Sequence, residues 1–100
     1  MDFTGKKVLV IGMARSGFAA AKALLDMGAA VTVTDKRPQA DFQDKLDAIS
    51  GCELYFGQDP DDIIPGKDLI VISPGVPIDS PFLDKARVMG IKIIGEIELA

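Results

Sequence analysis

Gly12-Met13-Ala14-Arg15-Ser16-Gly17 has the spacing of a phosphate-binding glycine turn, with Ala14 in the place of the second glycine. Gly12 permits a tight turn, the small Ala14 leaves the backbone open to a pyrophosphate, and Gly17 lets a following helix approach a sheet. Free amides of a first helical turn face such an anion and favour its charge by about 0.3 to 1 kcal/mol, up to ~2 when partly buried. Arg15 fits this reading, because a cation in the first turn opposes the helix dipole until an anion reverses the sign; a solvated surface residue at slight cost is the plain alternative. About 20 residues beyond the turn stands Asp35-Lys36-Arg37, at the place where nicotinamide-dinucleotide enzymes set an acid on the ribose hydroxyls. Lys36 and Arg37 suit instead an extra phosphate or an acceptor-rich base edge, and an exposed turn with a local ion pair is the plain alternative. Ser73-Pro74-Gly75-Val76-Pro77 is a third turn, in which Gly75 lets backbone approach a flat base and the prolines stiffen the loop. A turn that simply needed Gly and Pro is the alternative there.

The segments between these turns read as the frame that brings them together. Val8-Leu9-Val10-Ile11 is a short run that suits a strand buried on both faces of a parallel sheet. A helix is predicted over 15–27, with Phe18, Ala21, Leu24 and Leu25 on one stripe and Gly28 as its stop. Val31-Thr32-Val33-Thr34 makes a second strand, Pro38 closes its turn, and a polar helix is predicted over 40–49. Glu53-Leu54-Tyr55-Phe56 is a third strand, followed by a brief helical turn over 59–64. Asp68-Leu69-Ile70-Val71-Ile72 is a strongly apolar fourth strand, broken directly by the Ser73 turn. Ser80 as N-cap and Pro81 at the first helical position open a helix to Met89 that Gly90 ends, and Ile91-Lys92-Ile93-Ile94 is the last strand. This alternation implies one α/β domain of three layers, Rossmann-like, with a five-stranded parallel sheet ordered 3-2-1-4-5. The first and fourth strands then lie side by side, and their turns flank one crevice.

Composition narrows the chemistry. The chain has 100 residues, 48% of them apolar, enough for a single domain and not for two. Its net charge of −4 argues against a nucleic-acid partner, which draws on a broad surplus of Lys and Arg. Histidine is absent, so no His-based triad exists, and Cys52 has no second cysteine to pair with. A reducing, cytoplasmic setting is expected, with no signal peptide and no membrane span. Neither a catalytic residue nor a metal site is assigned to this chain.

Two suggestive features are set aside. Pro65-Gly66-Lys67-Asp68 looks like the end of an ATP-binding loop, yet Asp61 occupies the first-glycine position and Asp68 the hydroxyl position. Glu96 and Glu98 are a carboxylate pair, but in an extended segment they share one face as any exposed strand residues would.

Together, the glycine turn, Asp35-Lys36-Arg37, Ser73-Pro74-Gly75-Val76 and the closing Gly95-Glu96-Ile97-Glu98-Leu99 resemble the N-terminal domain of the Mur ligases of MurD type. The likeness covers essentially the whole chain, with its motifs in order and at matching spacing. It implies a domain over 1–100 that holds the UDP part of UDP-N-acetylmuramoyl-L-alanine, a cytoplasmic intermediate of peptidoglycan synthesis. It implies too that a central domain, using ATP and magnesium, and a C-terminal domain that brings D-glutamate would complete an amide-forming ligase. This chain by itself would then be inactive. On that likeness Ala14, Arg15 and Ser16, between Gly12 and Gly17, would meet the diphosphate. Asp35, Lys36 and Arg37 would lie by uracil and ribose, and Ser73, Pro74, Gly75 and Val76 would cover the base. A regulatory NAD-binding module, with Asp35 on the adenosine ribose, is the alternative from another class.

Overall fold

A computed structural model describes residues 2–13 and 15–95, apart from the side chains of Arg15 and Ser16. Five strands form one parallel sheet: β1 (Lys7–Ile11), β2 (Ala30–Asp35), β3 (Glu53–Phe56), β4 (Leu69–Ile72) and β5 (Lys92–Gly95). Their order is β3-β2-β1-β4-β5, as the alternation of elements implies. Helix α1 (Arg15–Asp26) joins β1 to β2, and α2 (Pro81–Val88) joins β4 to β5. The chain builds outward from β1 in one direction and from β4 in the other, so crossovers of one hand put the two helices on opposite faces.

The side-chain alternation of the central strands shows both faces covered. Val8, Val10, Leu69 and Val71 point to the side of α1, where they pack with Phe18, Ala21 and Leu24. Leu9, Ile11, Ile70 and Ile72 point to the other side, against Phe82, Leu83 and Ala86 of α2 and against Ile64. Two apolar layers thus clamp the sheet, and full burial of each such side chain contributes roughly 1.5–3 kcal/mol. Of the predicted α1 stripe, Leu25 is only partly buried, at the rim of the first layer.

Two local expectations are corrected. The segment Gln39–Ile49 is helical but wound as 3-10 turns, because only Phe42 and Ile49 are buried in it and so few anchors do not enforce a 3.6-residue period. The brief helical turn expected after β3 is present, as a short 3-10 segment, Pro60–Ile63. Ser80 does precede α2 with Pro81 in the first turn, but its hydroxyl donates to the Pro77 carbonyl at 2.7 Å and caps no helix amide. It closes the loop from β4 instead. Among the described residues no helix is long and apolar enough to cross a membrane.

Candidate functional site

The C-terminal ends of β1 and β4 pair side by side, Ile11 opposite Ile72, at the point where strand order reverses. Gly12 continues the ladder by donating its N–H to the Thr34 carbonyl at 2.9 Å, and then turns with φ +91°. A Cβ at Gly12 would stand 2.9 Å from Val76 Cγ2 and 3.0 Å from Ser73 Cβ, so the first turn and the β4 loop are pressed together here. Gly17 is tighter still. A Cβ there would lie 2.1 Å from the Gly12 carbonyl oxygen, inside any possible contact, so only glycine lets α1 start against this turn.

Side chains fasten the same region. Ser73, buried at the end of β4, donates its hydroxyl to the Gly12 carbonyl at 2.6 Å. Asp35, at the end of β2, accepts the Met13 N–H at 2.7 Å on Oδ2 and the Arg37 backbone N–H at 2.9 Å on Oδ1. The Arg37 guanidinium adds bonds of 3.2 Å to Oδ1 and 3.1 Å to Oδ2 and stacks 4.7 Å over the Phe42 ring. Burial raises the pKa of Asp35, but the Arg37 side chain and the Arg37 and Met13 amides outweigh it and hold the carboxyl below its ordinary value. Arg37 is held above its ordinary value by its hydrogen bonds to Asp35 and the charge it faces. The local ion pair weighed from the sequence is therefore present.

Between the three turns lies a cleft of about 510 Å³, within the range of about 300–1,000 Å³ usual for small-molecule sites. Of the residues singled out in the sequence, Gly12, Asp35, Lys36, Arg37, Ser73, Pro74, Gly75 and Val76 line it. Gly17 stands behind the turn, against the Gly12 carbonyl. Ala14 and the side chains of Arg15 and Ser16 lie outside the described residues, as does 96–99 of the closing motif.

Sequence reasoning missed the far wall. Ile11 and Phe82 supply apolar surface there, and Gln58 and Pro60 enter from beyond β3. Gln58 carried a usable signal: it stands two residues beyond the end of β3, and residues that leave the C-terminal edge of such a sheet face the crevice. Thr34 also borders the cleft, with a buried hydroxyl that has no hydrogen-bond partner among the described residues. Its signal was weak, because a threonine in a parallel strand reads equally as β-branched packing.

Residues 6–95 match the family described as Mur ligase MurD-like, N-terminal domain. The chain belongs to this family. Across its whole length it is 45% identical to UDP-N-acetylmuramoylalanine--D-glutamate ligase of Koribacter versatilis and covers 22% of that protein. It is 40% identical to the ligase of the same name from Alkaliphilus metalliredigens, covering all of this chain and 23% of the relative. The chain therefore spans under a quarter of the length of these MurD relatives. Among solved structures, glutamyl-tRNA reductase from Methanopyrus kandleri aligns with a TM-score of 0.67 at 18% identity, over 98% of this chain and 32% of that one. Apo D-lactate dehydrogenase from Escherichia coli aligns at 0.66 and 22%, over 95% of this chain and 29% of that one. At such identities the likeness shows the Rossmann-like fold alone, and the MurD-like sequence is what sets this domain apart from dehydrogenases.

Proposed function

We propose that this MurD-like domain grips the UDP part of UDP-N-acetylmuramoyl-L-alanine and so positions the rest of that substrate for chemistry done elsewhere. The observation that carries the reading is the cleft itself. A glycine turn that opens a helix, the basic loop after β2 and the Pro-Gly loop after β4 converge on one crevice at the switch point of the sheet. The diphosphate would sit at the start of α1, on Ala14, Arg15 and Ser16, where backbone amides and the helix terminus favour negative charge. The base would enter between the loops, with Lys36 and Arg37 on one side and Ser73 to Val76 on the other. Ile11, Phe82 and Pro60 would give its ring an apolar seat.

Within the longer protein, the same reading makes the domain one part of a cytoplasmic, ATP-dependent ligase that adds D-glutamate during peptidoglycan synthesis. Holding a remote nucleotide handle lets binding free energy orient a distant carboxylate, which is where a positioning domain contributes to rate. ATP and magnesium would belong to the other domains. The Pro65 to Asp68 segment lacks the residues of a phosphate loop. No step of the reaction is assigned to this chain.

The test is a titration of UDP and, separately, NAD at equal concentrations, followed through the amide resonances of Gly12 to Gly17, Asp35 to Arg37 and Gly75. Shifts confined to these turns with UDP, and little response to NAD, are expected. At about 25 heavy atoms and roughly 0.3 kcal/mol for each, UDP gains at most about 7.5 kcal/mol, a low-micromolar ceiling. Tighter saturation by NAD would replace this reading with a dinucleotide sensor.

A further inference from the structure

We infer that Asp35 is a positioning residue, which ties the base-side loop to the phosphate turn and does not itself take the ribose hydroxyls. The inference rests on the nucleotide reading above. An ionised carboxylate offers about four lone-pair directions, and here each has a donor. Oδ2 accepts from Met13 N at 2.7 Å and from Arg37 Nη2 at 3.1 Å. Oδ1 accepts from Arg37 N at 2.9 Å and from Arg37 Nε at 3.2 Å. The side chain is only 9% exposed. A ribose hydroxyl would have to evict one of these donors, whereas the acid at this place in a dinucleotide site is free to take the ribose 2′-hydroxyl.

The same four bonds join parts of the cleft that a ligand must bridge. Met13 belongs to the turn that opens α1, and its amide, aimed at Asp35, is not one that a phosphate can use. Arg37 belongs to the loop after β2 and is splinted from the other side by the Phe42 ring. Asp35 therefore fixes the spacing between the base seat and the phosphate seat, and loosening it weakens any ligand that spans both. It leaves the ribose 2′-hydroxyl unread.

The experiment is calorimetric titration of this chain and of Asp35→Asn with UDP and with 2′-deoxy-UDP, alongside hydrogen exchange at the Met13 amide. The unsubstituted chain should bind the two nucleotides within about threefold of each other, and Asp35→Asn should weaken both by one common factor, on the order of tenfold. The Met13 amide should lose protection in the variant. A loss confined to UDP, with 2′-deoxy-UDP unchanged, overturns the inference in favour of direct ribose contact. Unchanged affinity for both nucleotides, with the Met13 amide released, overturns it as well. Failure of the unsubstituted chain to bind either nucleotide removes the nucleotide reading and this inference with it. Arg37→Gln gives a second route if Asp35→Asn does not fold: it frees lone pairs on Asp35 and should create a preference for UDP over 2′-deoxy-UDP. An unaltered ratio there counts against the inference.

Discussion

Ser73 Oγ donates to the Gly12 carbonyl oxygen at 2.6 Å, and this bond clasps the β4 loop to the turn after β1. The hydroxyl has one proton, so a Ser73 that serves the clasp does not also donate to a ligand. Its place in the cleft is then structural, as the wall that keeps the two turns in register. Ser73→Ala should lower stability by about 1–2 kcal/mol, the usual cost of leaving a part-buried acceptor without its partner. Urea unfolding checks it, and an unmoved midpoint at constant slope would show that the clasp contributes nothing.

Two glycines beside the same cleft should respond oppositely to an added methyl. At Gly17 the new Cβ would meet the Gly12 carbonyl at 2.1 Å, and backbone cannot step aside as a flexible side chain can. Gly17→Ala should cost about 3 kcal/mol or leave the domain unfolded. Around Gly75 a Cβ meets nothing within 4 Å, so Gly75→Ala should stay within about 0.5 kcal/mol of the original. Any loss of nucleotide affinity in a stable Gly75→Ala protein would then report the approach of a ligand to that backbone, and unchanged affinity would remove Gly75 from the contact surface.

The frame was legible because β1 and β4 are short apolar runs each ended by a glycine-bearing turn, a pattern that few arrangements other than a doubly covered parallel sheet can bury. Strand order followed from the alternation of strands and helices, since one hand of crossover leaves little choice. Gln39–Ile49 was legible as helical but not as 3-10, because its winding depends on where Phe42 and Ile49 find partners in the first core layer. The three turns announced themselves by residue type. The bonds among them did not: Met13 and Asp35 are 22 residues apart, and their contact exists only once β2 pairs with β1 in register. The wall formed by Gln58, Pro60 and Phe82 was hidden for the same reason, being gathered from separate segments that carry no shared motif.

Cys52 precedes β3 and packs at the edge of the first core layer, where burial pushes its thiol pKa up. The thiolate is the reactive form, so the folded chain should be sluggish towards alkylation near neutral pH. Iodoacetamide labelling of folded and urea-unfolded protein compares the two directly. Equal rates would mean that the thiol is open to solvent in the folded state.

Asp35 gives the pH dependence a definite sign. Its pKa in the folded chain lies below the ordinary carboxylate value of 3.8, so as pH falls the unfolded chain takes up a proton there first. The stabilisation from the ionised carboxylate is thus fully present above that ordinary value and is lost as pH falls through the lower folded-state value. Asp35→Asn removes this contribution while leaving Asp2, whose pKa is also lowered, in place on both sides of the comparison. The stability difference between the two proteins should therefore be flat from about pH 5 to 8 and shrink in acid. Urea midpoints measured from about pH 8 down to about pH 2 decide it. A difference that persists undiminished to about pH 2 would mean that the turn is held by the shape of the side chain and not by its charge.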